Sequence, residues 1–229
     1  MTRAALVTGT NRGLGRGIAV AFAEAGYRVA SLNRTLAGDD ERLGEIECDV
    51  SSPSELERGF RLARERLGGL DVCVASAGIR RRAPAHELAR EEWLATLETN
   101  LTSVLELYRL VREDLRDGGD FVVVGSQAAR EQFEGGAAYS ASKAALAALA
   151  EVILLETREL DFRLTLVTPG PVRNRADDPS PYKMAPLNVG RAIVAAVEAP
   201  RDVTVAGLDL RPTRGAPSPV VGIERLQYT

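Results

Sequence analysis

The sequence is poor in the residues that build metal centres and disulfide scaffolds. It has one histidine, His86, and only two cysteines, Cys48 and Cys73, in 229 residues. No zinc-like cluster can be drawn from so few ligands, and no metal site is assigned. Cys48 and Cys73 lie in the apolar runs CDV and VCVAS, where a free thiol packs as a small hydrophobe. They read as reduced core residues, although a disulfide stays open. His86, in APAHEL, reads as a structural or exposed residue at a helix start, not a proton carrier. Aromatics make up 5% of the chain and the formal net charge is −3. No stacking platform or strong positive field invites nucleic acid, and none invites an anionic membrane. The opening MTRAALVTG lacks the long apolar core of a secretory leader. No run approaches the ~20 apolar residues that span a bilayer. A cytoplasmic protein with neither nucleic-acid nor membrane partners is expected.

What is present is an ordinary globular composition, 45% hydrophobic with 21 glycines and 11 prolines. The length allows one large domain or two small ones, at roughly 100–200 residues each. Short apolar runs at 4–8, 27–32, 45–50, 70–75, 121–125, 164–167 and 203–208 alternate with helical patterns. Those patterns cover 16–25, 53–67, 91–115, 139–159 and 187–199. Gly26 suits the end of the first helix, and Ser51 or Ser52 with Pro53 suits the start of the second. Apolar runs buried on both faces fit parallel strands covered by helices. The expected fold is therefore α/β, a single Rossmann-like doubly wound domain with a mainly parallel seven-stranded sheet over 1–211. A tail, 212–229, follows. The proline-rich stretch 173–186 reads as a loop or short helix over a ligand crevice.

Two motifs carry chemistry. TGTNRGLG, at Thr8–Gly15, joins the first strand to the first helix. Glycine there permits a tight turn and close approach of a diphosphate, and the helix start offers amide groups to negative charge. The second motif is YSASK, in which Tyr139 and Lys143 share one face of a helix. Tyrosine ordinarily titrates near ~10. A nearby ammonium and an oxidised nicotinamide would favour its phenolate, so the pair could move a proton at neutral pH.

The GxxxGxG spacing, together with YSASK, resembles the short-chain dehydrogenase/reductase family, and the likeness runs through about Arg211. Asp49 is similar to the family position at adenine, and Ala75-Ser76-Ala77-Gly78 to its NNAG-like segment, with Ser76 in place of the commoner asparagine. Asn100 matches its helical asparagine, and Ser126, thirteen residues before Tyr139, its catalytic serine. Pro169-Gly170 matches the turn beside nicotinamide. The resemblance implies four catalytic residues, Asn100, Ser126, Tyr139 and Lys143. It implies a dinucleotide held by Gly9, Asn11, Arg12, Gly13, Leu14, Gly15, Asn33, Arg34, Asp49, Val50, Ala77, Gly78, Tyr139, Lys143, Pro169, Gly170 and Val172.

An acidic residue at the end of the second strand would bind the adenosine ribose and repel a phosphate on it. Here neutral Asn33 is followed by Arg34, and Arg12 lies in the glycine turn. Two guanidinium groups could converge on a 2′-phosphate, so NADP(H) is the expected cofactor, with NAD(H) left open. The implied activity is carbonyl reduction, or the reverse alcohol oxidation, on a small or medium metabolite. Arg130, Arg173, Arg175 and Lys183 raise the case for a β-oxoacyl or keto-acid substrate. They are equally suited to a solvated surface. The alternative is a non-enzymatic NADP(H)-sensing interaction protein on the same scaffold. Family likeness of the alanine-rich helix 139–159 and of the Asn100 helix implies a homodimer or homotetramer.

Overall fold

A computed structural model describes residues 2–115, 117–175 and 177–214. Seven strands form one sheet: β1 (Ala4–Thr8), β2 (Arg28–Asn33), β3 (Glu45–Glu47), β4 (Val72–Ala75), β5 (Asp117–Val124), β6 (Asp161–Pro169) and β7 (Gly207–Leu210). Their order is β3-β2-β1-β4-β5-β6-β7, and every pairing is parallel. The helices are α1 (Gly13–Glu24), α2 (Pro53–Leu67), α3 (Arg90–Leu97), α4 (Ser103–Leu115), α5 (Ala137–Glu156) and α6 (Pro186–Val197). All five side chains of β1 and all four of β4 are buried, as expected for central strands covered on both faces.

Two apolar layers enclose the sheet. On one face Leu56, Phe60, Leu107, Val111, Leu146 and Ile153 of α2, α4 and α5 pack against Leu6, Cys73, Phe121 and Leu164. On the other, Ile18 and Phe22 of α1 and Val189 and Ile193 of α6 cover Ala5, Val7, Val74 and Val122. Cys48 and Cys73 are free thiols inside the protein. β1 pairs with β2 on one side and β4 on the other, so the chain reverses its winding there. In such sheets a crevice opens outside the strand carboxyl ends at that reversal.

The boundaries correct the sequence reading in four places. The segment expected to be one helix over 91–115 is broken by a π-helical turn at Glu98–Thr102, which tucks Asn100 into the protein. The last strand lies at Gly207–Leu210, not 203–208. Residues 197–203 instead deliver the carbonyls of Val197, Ala199, Pro200 and Val203 to the Arg163 guanidinium. β3 stops at Glu47: the Cys48 N–H still donates to the Asn33 carbonyl of β2, but the Asp49 N–H turns to Glu55 of α2. Finally, α5, at 20 residues, does have the length and apolar composition of a membrane span. Its Lys143, Leu146, Ala150 and Ile153 are nevertheless buried in the protein core. Residues 215–229 of the expected tail lie outside the described residues.

Candidate active site

The glycine turn is built by backbone demands. Gly9 has φ +74° and donates to the Leu32 carbonyl at 2.8 Å. A Cβ there would come within 2.8 Å of Ala77 Cα. One on Gly15 would lie 2.1 Å from the Gly9 carbonyl oxygen, so neither position accepts a side chain. Asn33 fixes the turn from below: its Oδ1 accepts from the Thr10 N–H, and its Nδ2 donates to Glu45 at 3.0 Å. It is 1% exposed and faces the protein interior, which makes it a clamp on the turn. Thr8 joins the two halves of the crevice, its hydroxyl oxygen accepting from the N–H groups of Ser76 and Ala77 at 3.0 and 2.9 Å.

The turn leaves room and donors for a phosphate. The Arg12 and Arg34 side chains are exposed, and neither guanidinium forms a hydrogen bond or ion pair within the described residues. Asn11 instead donates to Thr35 at 3.0 Å. Asp49 is half-buried and accepts from Ser51. Burial alone would raise its carboxyl, but the Ser51 hydrogen bonds and the nearby Arg34 charge leave it lowered. Val50 is buried beside it. The open glycine cradle and unpaired arginines fit a dinucleotide phosphate.

A second set of groups meets at Gly78. A Cβ on this glycine would lie 3.2 Å from Asn100 Oδ1 and 3.9 Å from Lys143 Nζ. Asn100 is fully buried and anchored at both ends: Oδ1 accepts from the Ile79 N–H at 2.8 Å, while Nδ2 donates to the Ile79 carbonyl and Ser142 Oγ. Ser142 in turn donates to the Tyr139 carbonyl at 2.7 Å. The π-helical turn and the YSASK helix are thus tied together by a serine that the sequence reading passed over. Lys143 is 5% exposed and donates to the Val124 carbonyl at 2.7 Å. Burial lowers its ammonium from 10.5 to about 8. Its Nζ lies 6.0 Å from the centre of the Tyr139 ring. Ser126, two residues beyond Val124, accepts from the Ala128 N–H at 3.1 Å, so its own hydroxyl proton is free to donate.

The remaining sequence candidates fall nearby. Gly170 donates to the Leu210 carbonyl at 2.8 Å, and Gln127 lies over it. Val172 bridges Met184 and so fixes the return of the irregular stretch after β6. The four cations divide. Arg130 pairs with Asp209 and Arg175 with Asp177, both on the outer surface. Arg173 and Lys183 line a cavity of about 410 Å³ with Arg211 and Arg214, where Lys183 pairs with Asp178 at 2.8 Å and Arg211 with Glu131 at 3.3 Å. Arg211 and Arg214 were missed because the sequence gives no sign that β7 ends beside residues 173–189.

A family model described as short chain dehydrogenase matches residues 3–181. Carbonyl reductase family member 4 of Danio rerio is 34% identical over 181 residues, covering 74% of this chain and 76% of that protein. Acetoacetyl-CoA reductase of Rhizobium meliloti is also 34% identical over 181 residues, with 74% of each chain covered. An alcohol dehydrogenase of the archaeon Thermococcus sibiricus, solved with 5-hydroxy-NADP, superimposes with a TM-score of 0.85 at 27% identity. That superposition covers 95% of this chain and 99% of that one.

Proposed function

The chain belongs to the short-chain dehydrogenase family of oxidoreductases, and from that premise we propose that it reduces a carbonyl with NADPH, or oxidises the corresponding alcohol with NADP⁺. The observation that carries this reading is the buried Lys143 beside Tyr139, next to Gly78 and across from the glycine turn. Burial disfavours the charged form of this lysine, and a perturbed ammonium beside a tyrosine in a crevice is the pattern of a functional site. Its partner in sequence spacing is a group that can hand a proton to oxygen.

The reduced nicotinamide supplies a hydride to the carbonyl carbon when bound. Tyr139 gives its hydroxyl proton to the carbonyl oxygen as negative charge develops there. Ser126 donates a hydrogen bond to the same oxygen, its acceptor side already held by Ala128. Lys143 uses one N–H on Val124. The rest of its ammonium would hold the nicotinamide ribose and stabilise the tyrosinate left after proton transfer. Asn100 acts as the positioning residue, since Ser142 carries its hold to the Tyr139 backbone.

Arg12 and Arg34 support a preference for NADP(H), because their free guanidinium groups can chelate a 2′-phosphate. Of the cations that line the cavity, Lys183 and Arg211 are held by Asp178 and Glu131, so the support for an acidic or acyl-thioester carbonyl substrate comes from Arg173 and Arg214. The outward face of α5 supports a homodimer or homotetramer, and a cytoplasmic location completes the reading. The decisive experiment follows NADPH consumption over neutral ketones, keto acids and β-oxoacyl thioesters, with product identification. Tyr139→Phe should bind cofactor as the parent does and turn over at least ~10²-fold more slowly. A full-rate variant would remove Tyr139 from the mechanism. Arg34→Ala should narrow the NADPH-over-NADH ratio in matched salt, and an unchanged ratio would defeat the cofactor preference.

A further inference from the structure

We infer that the consecutive arginines Arg80, Arg81 and Arg82 form a carboxylate-reading strap at the mouth of the active site, and that the substrate is a small keto acid whose charge lies within a few bonds of its carbonyl. The inference deepens the carbonyl-reduction reading above and rests on it. The strap is pinned at both ends. Asn100 holds the N–H and the carbonyl of Ile79, at 2.8 and 2.9 Å. At the other end the Ala83 N–H donates to the Gly135 carbonyl at 3.2 Å. The first anchor adjoins Gly78 and Lys143, and the second lies just before Gly136, where the helix of Tyr139 begins. The chain leaves the glycine turn at Ala77, so the arginines span the catalytic pair and run away from the place where dinucleotide phosphates belong.

In the free protein these charges are a cost. All three residues are exposed, and adjacent like charges repel one another. Neither Arg80 nor Arg81 forms a side-chain hydrogen bond or ion pair among the described residues. The chain carries a net charge of −3, so the run is not a sample of a basic surface. Arg82 is also placed. Its guanidinium carbon lies 5.6 Å over the Phe133 ring, and that ring lies 6.4 Å from the Tyr139 ring. Phe133 is wedged against Gly136, where a Cβ would meet the ring at 2.7 Å. Stacking fixes the plane of a guanidinium, and its five N–H donors lie in that plane, in the geometry that grips a carboxylate. A carbonyl held by Tyr139 and Ser126 sets a neighbouring carboxylate toward Arg80 and Arg82. An acyl thioester is neutral next to its carbonyl and gains nothing there.

The test follows NADPH-dependent reduction of acetoacetate, methyl acetoacetate and acetoacetyl-CoA by the full chain. The parent should favour the acid over its methyl ester by at least ~10-fold in kcat/KM. Arg80→Gln and Arg82→Gln should each raise KM for the acid at least ~10-fold and leave kcat within about twofold, the split expected of an interaction made equally in the ground and transition states. KM for the ester should not move. Salt should weaken turnover of the acid and spare the ester. Arg61→Gln, which removes an exposed charge from α2, should leave both substrates as in the parent. Equal losses on acid and ester in the strap variants would make the arginines structural, through Phe133 and Tyr139, and would overturn the inference. An unchanged KM for the acid in both strap variants would overturn it too, as would a parent that reduced the ester, the thioester or any neutral ketone better than the acid. Carbonyl reduction would stand in each of those cases. A parent that consumed NADPH with none of these compounds, nor with the wider panel above, would sink the reduction reading itself and this inference with it.

Discussion

Lys143 shows how one buried charge ties stability to function. Burial lowers its ammonium to about 8, against 10.5 when exposed. Below the lower value both the folded and unfolded states are charged, and the folded state carries the full cost of burial. Between the two values the unfolded chain holds more protons than the folded one. Unfolding then takes up a proton, so this group makes stability rise with pH across that window. Burial raises the Tyr27 phenol to about 12, which acts with the opposite sign at high pH. Comparison with Lys143→Met cancels that contribution. The Tm of Lys143→Met relative to the parent should be highest near pH 7 and fall by about 5–10 °C toward pH 10. Thermal scans of the two ligand-free proteins check this, and a constant difference would mean that Lys143 stays charged throughout. Asn33 carries the opposite lesson. Its neighbours in sequence mark it for cofactor contact, yet its side chain is spent on Thr10 and Glu45. Only the partner from β3 reveals that role.

At the scale of elements, the sheet ends divide the labour. The carboxyl ends of β1, β4 and β5 hold the glycine turn, Gly78 and Ser126. The other side is closed by a buried ion pair between strand neighbours Asp120 and Arg163, 2.7 Å apart. Arg3 and Arg201 add contacts to Asp120 at 3.2 and 3.4 Å. Arg163 also gathers the carbonyls that end α6, so it sets where β7 begins. Arg163→Met should therefore cost about 3–5 kcal/mol, because it leaves the buried Asp120 carboxylate with only the longer Arg3 and Arg201 contacts and strips those carbonyls of their donor. Urea unfolding measures the loss. Dinucleotide affinity, read at low temperature where the variant stays folded, should be unchanged. A variant as stable as the parent would show the network to be incidental. The same contacts explain what the sequence conveyed. The core strands and α2 were legible because apolar runs, Ser52 and Pro53 are local signals. Of the candidate catalytic residues, Tyr139 and Lys143 stood out by spacing, whereas Asn100 and Ser126 came only from the family resemblance. β7 and the π-helical turn were not, since each depends on a partner far along the chain.

For the whole molecule, the outward face of α5 matters most. Ala144, Ala145 and Ala148 are exposed, and Val152 and Leu155 retain 48% and 64% of their accessible surface. The spacing places them in one helical stripe, while Leu146, Ala150 and Ile153 fill the core from the other side. Small residues allow a second helix to approach closely, and the two larger ones supply apolar area to bury. Tyr139 and Lys143 begin the same helix, so a copy packed along it would stiffen the proton-transfer pair without touching it. The parent should therefore elute as a dimer or larger assembly, with a Tm that rises with protein concentration. Ala148→Glu would set a carboxylate in the stripe and in its symmetry mate, where neither could be solvated. The expected outcome is a monomer by light scattering, with turnover reduced several-fold and a concentration-independent Tm. Dinucleotide affinity should hold, because the glycine turn belongs wholly to one chain. An Ala148→Glu protein that assembled like the parent would move the interface elsewhere. A parent that remained monomeric at high concentration would leave the stripe as bare surface.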